Sequence, residues 1–194
     1  MRLLLIIFAT GLFLFGRQTL QNNKHVNNNK EWVDKKEISL PTVGVKINGN
    51  FTGNGKNEFA IAKRIKKGQG NPVENGTPDE YEIQFSSNKM KSINAGCCDI
   101  LLINEGDLNN DGADEISVYQ APMNGCTYAM TTYTFINKHW KIIVPTFLIP
   151  TGCENISNDN LQKRIFKQNN VIYYYETDPN DKHERLVRKK ATTK

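Results

Sequence analysis

Beyond Pro41 the apolar residues fall at every second position. Val43, Val45 and Ile47 come first, then Phe59 and Ile61, then Tyr81, Ile83 and Phe85. Period two is the signature of a strand with one buried face. The second half repeats it more densely. The run 100–103 is apolar, Ile116 and Val118 alternate with Ser117 and Tyr119, and 127–136 is rich in β-branched and aromatic residues. Asn137-Lys138 reads as a hairpin tip before Trp140, Ile142 and Val144, and Asn169-Asn170 as another between 164–167 and 171–176. Residues 186–188 make a last strand, and 66–79 is a Gly/Pro/Asn loop. Helical periodicity is confined to the first residues, apart from a short turn near 160–164. The pattern predicts one all-β, antiparallel domain over 41–191.

The N-terminus is different in kind. Arg2 precedes an apolar run over 3–15, the length of a signal-peptide core and short of the roughly 18 residues that span a bilayer. Residues 1–16 are therefore expected to be a signal peptide, with an uncleaved anchor as the alternative, and 17–40 a polar linker. The rest of the chain is expected to be secreted or periplasmic, without a transmembrane span once the leader is removed. Export makes Cys97, Cys98, Cys126 and Cys153 disulfide candidates. The expected pairing joins Cys126 and Cys153 each to Cys97 or Cys98, because a vicinal Cys97–Cys98 bridge closes a small ring. A zinc site lacks both the short Cys-x-x-Cys spacing and neighbouring histidines. The net charge of +5 is spread over scattered lysines, so no nucleic-acid partner is expected.

One stretch carries chemistry. In 106–115, Gly-Asp-Leu-Asn-Asn-Asp-Gly-Ala-Asp-Glu, oxygen side chains alternate at Asp107, Asn109 and Asp111, glycine follows, and Glu115 lies four beyond Asp111. Calcium takes six to eight oxygens, and alternate spacing lets one tight loop aim three side chains inward. Gly112 permits the turn, the Ala113 carbonyl supplies another oxygen, and Glu115 closes the shell. Asp99, Glu105, Asp107, Asp111, Asp114 and Glu115 lie between 99 and 115 with no Lys or Arg among them, and such a run repels itself unless a cation sits there. An EF-hand loop starting at Asp107 needs a carboxylate where Val118 stands, and helices where strands flank. The expected cofactor is calcium, held by Asp107, Asn109, Asp111, Ala113 and Glu115.

The loop resembles the calcium loops of FG-GAP/VCBS-type repeats of integrin-like proteins, D-x-[DN]-x-D-G-x-x-[DE] between two strands, matched here by Asp107, Asn109, Asp111 and Glu115. A degenerate copy lies upstream, with Asn50, Thr52, Asn54 and Glu58 at the corresponding positions. Two of its three loop carboxylates are lost, so a structural turn is its expected role. The resemblance covers about 43–145 and implies two repeat-like halves, about 43–95 and 97–150, followed by a C-terminal hairpin. Propellers use about 4–8 blades of about 40–50 residues. The expected architecture is therefore two or three blade-like sheets, partial-propeller-like or sandwiched, and not a complete propeller. In such a meander the 107–115 loop and the 137–138 hairpin share one end, and the cysteines the other.

The functional expectation is an exported calcium-binding β domain, a structural or ligand-binding module with an unknown protein or glycan partner. The stretch 131–137 and Trp140 give a second resemblance, over 105–145, to exported lysozyme-inhibitor-like proteins. The alternative is accordingly a periplasmic inhibitor or immunity-type protein acting on a cell-wall hydrolase. No nucleophile–base motif, Walker loop or His-Glu-x-x-His is present, so no enzyme is expected.

Overall fold

The computed structural model describes residues 42–192; the expected leader and the whole of the expected linker lie outside them. Among the described residues twelve strands form three antiparallel sheets, none closed into a barrel or propeller, with one short helix between them. The first sheet takes β2 (Lys46–Gly49), β3 (Glu58–Lys66), β4 (Glu80–Phe85) and β5 (Ile93–Gly96) in chain order. The middle sheet takes β6 (Ile100–Gly106), β7 (Glu115–Gln120), β8 (Thr127–Ile136) and β9 (His139–Pro150), with β1 (Val43–Gly44) added beside β6. After α1 (Asn158–Gln162), β10 (Ile165–Gln168), β11 (Val171–Thr177) and β12 (Leu186–Lys190) make the third.

Two apolar cores flank the middle sheet. Ile47, Phe51 and Ile83 meet Leu102, Ile116 and Val118 on one side. Ile103, Met130 and Phe147 meet Leu161, Ile172 and Tyr174 on the other. The central strand β7 is buried on both faces, from Glu115 through Tyr119. Burying a side chain the size of Phe147 or Phe51 contributes about 1.5–3 kcal/mol, so the two cores are what hold the sheets together.

Several details differ from the alternation in the sequence. Val45 is 53% exposed although Val43 and Ile47 are buried, because the chain passes from the middle sheet to the first at that residue. In β3 the buried face belongs to Glu58, Ala60 and Ala62, while Phe59 and Ile61 are only half-buried on the outer face. The Lys46 ammonium lies 4.0 Å from the centre of the Phe59 ring there. Ile142 is exposed while Ile143 and Val144 are both buried. An irregularity between Thr132 and Tyr133 moves their partners from Val144 to Ile142, so Ile143 is the extra residue of a bulge.

The cysteine pairing also needs correction. The four form two close pairs, Cys97 with Cys98 and Cys126 with Cys153, the latter with Cα atoms 4.8 Å apart. Thr127 opposes Pro150 across β8 and β9, which brings Cys126 and Cys153 to the same hairpin end. The Thr151 N–H donates to the Cys126 carbonyl at 2.9 Å and fixes that approach. Among the described residues no helix is long and apolar enough to cross a membrane.

The helix α1 is short and depends on its cap. The Ser157 hydroxyl accepts from the Asn160 N–H at 3.3 Å, and Leu161 is fully buried in the second core. Ser157→Ala is expected to cost about 1 kcal/mol, read as a lower urea midpoint at unchanged slope. A midpoint equal to that of the parent would show that Leu161 alone holds the helix.

Candidate metal centre

The loop joining β6 to β7 covers 107–114 and ends on Glu115, the first residue of β7. Its side chains first serve its own backbone. The Asp107 carboxylate accepts from the Asp111 N–H at 3.1 Å and the Gly112 N–H at 3.0 Å. Asn109 Oδ1 accepts from the Asp111 N–H at 2.8 Å, and Asp111 Oδ1 from the Ala113 N–H at 2.9 Å. Such Asx bonds are what a tight polar turn uses. Gly112 has φ +85°, which a side-chain-bearing residue adopts only with strain.

The upstream loop is built the same way. Asn50 accepts from the Gly55 N–H at 3.0 Å and Asn54 from the Lys56 N–H at 2.8 Å, the positions of Asp107 with Gly112 and Asp111 with Ala113. Positive φ also falls at matching places: Gly53 (+67°) with Asn110 (+64°), and Gly55 (+73°) with Gly112. Phe51 and Leu108 are both buried at the second position, as are Glu58 and Glu115 at the ninth. The two loops touch. The Asn50 N–H donates to Asp114 Oδ2 at 2.8 Å, the Asp114 N–H to the Asn50 carbonyl at 3.1 Å, and the Asn50 amide to the Gly112 carbonyl at 2.9 Å.

The closing glutamates differ. Both oxygens of Glu58 are satisfied by its own loop. Oε1 accepts from the Thr52 hydroxyl at 2.8 Å and the Asn54 amide at 3.4 Å, and Oε2 from the Thr52 N–H at 2.9 Å. Glu115 is wholly buried; its Oε2 accepts from the Leu108 N–H at 2.6 Å, but its Oε1 is buried without a hydrogen-bond partner. Burial is the main cause that pushes the Glu115 pKa up to about 7, and repulsion from Asp111 and Asp107 adds to it. The Leu108 N–H and the nearby Thr134 hydroxyl act the other way.

Residues that the loop pattern did not single out complete the surroundings. Glu105, on β6, has a buried Oε1 without a partner, and burial raises its pKa to about 8. The Ser117 hydroxyl acts the other way on Glu105, and it shares a hydrogen bond at 2.8 Å with Thr132, both residues being fully buried. From β10, Lys167 Nζ donates to the Asp107 carbonyl at 2.5 Å and to Asn110 Oδ1 at 2.6 Å. Long-range contacts of this kind leave no local signal; only the count of acids near Glu105 hinted at it.

A hard divalent cation needs several oxygens to converge. The donor set suits calcium: carboxylates, an amide oxygen and a carbonyl, with no nitrogen or sulfur ligand. The unpartnered Glu115 Oε1 is the kind of group a cation would satisfy. As folded here, the loop spends its remaining oxygens on its own N–H groups, and the Asn109 amide donates to Asp111 Oδ2 at 2.8 Å. Among the described residues no three His, Cys, Asp or Glu side chains already converge as a metal cluster. Comparison with known family models, characterised proteins and solved structures returns no match.

Proposed function

We propose that this chain is an exported calcium-binding β domain, a non-catalytic module in which the ion fixes the 107–115 loop. The observation that carries this reading is the contrast between two loops of one design. Where Thr52 and Asn54 supply donors, Glu58 is satisfied; where Asn109 and Asp111 stand, the buried Glu115 Oε1 makes no hydrogen bond within its loop, and the Thr134 hydroxyl is the polar group near the carboxyl. A buried carboxylate with one oxygen left unpartnered is costly unless it is protonated or meets a cation. Asp107, Asn109, Asp111, Glu115 and the Ala113 carbonyl would hold the ion once the Asn109 amide turns away from Asp111. The ion would supply charge neutralisation and rigidity. Export rests on Arg2 and the apolar run behind it.

Calcium titration calorimetry tests the assignment. One ion per chain is expected, with a dissociation constant of about 10⁻⁴–10⁻³ M, the range of extracellular modules. Glu58→Gln should leave that isotherm in place and Asp111→Ala should abolish it. Two ions per chain, or unchanged binding by Asp111→Ala, would contradict the proposal.

A further inference from the structure

At the end of the middle sheet away from the 107–115 loop lies a pocket of about 450 Å³, and its chemistry is separate from that loop. Tyr81 from β4, Tyr119 from β7 and Tyr128 from β8 line it, with Ile156, Asp99 and Glu154. The Tyr119 and Tyr128 rings are stacked, centroids 4.7 Å apart and 9° from parallel. The Tyr81 hydroxyl donates to Asp99 Oδ1 at 3.1 Å and holds that carboxylate in place. No Lys, Arg or His lines the pocket. Among the described residues neither Asp99 nor Glu154 belongs to an ion pair. Arg64 is bridged to Asp79 at 2.9 Å; Arg164 is close enough to Tyr119 to act on its hydroxyl, has a buried Nη1 without a hydrogen-bond partner, and lines the neighbouring groove, which shares Glu154, Asn155 and Ile156 with the pocket. The 151–156 wall is held by the Cys126–Cys153 pair and by the bond from the Thr151 N–H to the Cys126 carbonyl.

We propose that this pocket binds an organic cation carried on an apolar stem. Two carboxylates and the electron-rich faces of tyrosines attract an ammonium group. The aliphatic and aromatic walls take the stem, as in pockets that are mostly apolar with a few fixed polar groups. An anion of the same shape meets like charge and is refused. The same chemistry is presented by a free alkylamine and by a lysine side chain of a protein partner.

The test uses the full chain with n-hexylammonium, 1-hexanol and hexanoate, which share a stem and carry positive, no and negative charge. Shifts of the Tyr81, Tyr119 and Tyr128 ring resonances report binding. Hexylammonium is expected to bind at least about fivefold more tightly than hexanol, a difference of about 1 kcal/mol. Hexanoate should leave the spectrum unchanged. The double variant Asp99→Asn/Glu154→Gln should erase the preference for the cation while hexanol still binds, which also shows that the pocket remains folded. Blocked lysine, with an amide on each side, distinguishes the sources: binding equal to that of hexylammonium assigns a protein side chain, and failure to bind assigns a free amine. Equal affinity for hexylammonium and hexanol, no response to hexylammonium, or a preference that survives the double variant would overturn the proposal. None of these readouts depends on calcium.

Discussion

Calcium at about 10 mM, a ten- to hundredfold excess over the expected dissociation constant, should raise the melting temperature by roughly 3–10 °C, and chelator should return it to the metal-free value. A ligand that binds only the folded chain stabilises it by RT ln(1 + [L]/Kd), about 1.4 kcal/mol at a tenfold and about 2.7 kcal/mol at a hundredfold excess over Kd. For a domain of this size each kcal/mol corresponds to about 2–4 °C. The gain has a definite origin here, because Glu115 is fully buried with Oε1 unpartnered, and the ion would remove that cost. Magnesium should do much less, since it keeps its water shell and requires a smaller octahedron. Asp111→Ala should melt at the same temperature with calcium or chelator. Coincident melting curves of the parent chain in calcium, magnesium and chelator would leave 107–115 as a polar turn.

In chelator, stability is expected to fall as pH rises from about 5 to 8. The cause is the pair of buried carboxyls, Glu105 and Glu115, whose folded pKa values of about 8 and about 7 lie above the ordinary 4.5. A group whose pKa is raised by folding binds its proton more tightly in the native state. Its contribution is complete below the unfolded pKa and is lost as pH climbs through the folded one. Each pKa unit corresponds to about 1.4 kcal/mol, so each carboxyl carries several kcal/mol across that window. The two losses are not independent, because the Glu115 charge is part of what raises Glu105. Glu105→Gln should flatten its part of the slope. Saturating calcium should flatten the part due to Glu115, since the cation favours the charged form. Urea melts at pH 5, 6.5 and 8 measure both, and stability that rises from pH 5 to 8 in chelator would show that neither carboxyl is held protonated.

The sequence made most strands legible because most bury one face. It was silent on β5, where Ile-Asn-Ala-Gly is too short to show a period. It misread β3, where Ala60 and Ala62 are the buried residues and the larger Phe59 and Ile61 stand outside, since close packing of sheets favours small side chains at some positions. Hydrophobic alternation carries no mark for a chain that changes sheets at Val45 or bulges at Ile143. The acidic loop was legible from spacing alone, because Asx bonds and positive φ are local. What surrounds it is set by residues distant in the chain. The Asn50–Asp114 bonds, the Lys167 clamp on Asp107 and the buried, unpartnered Oε1 of Glu105 needed the fold before they could be seen. The cysteine pairs were decided in the same way, by the register of β8 against β9.

The central claim is that Glu115 Oε1 awaits a cation. A crystal structure of the chain grown in calcium tests it most directly. The account predicts one ion at about 2.3–2.6 Å from oxygens of Asp107, Asn109, Asp111, Glu115 and the Ala113 carbonyl, with none at Glu58. An empty loop in which Glu115 Oε1 is met by a protein donor or an ordered water would contradict it.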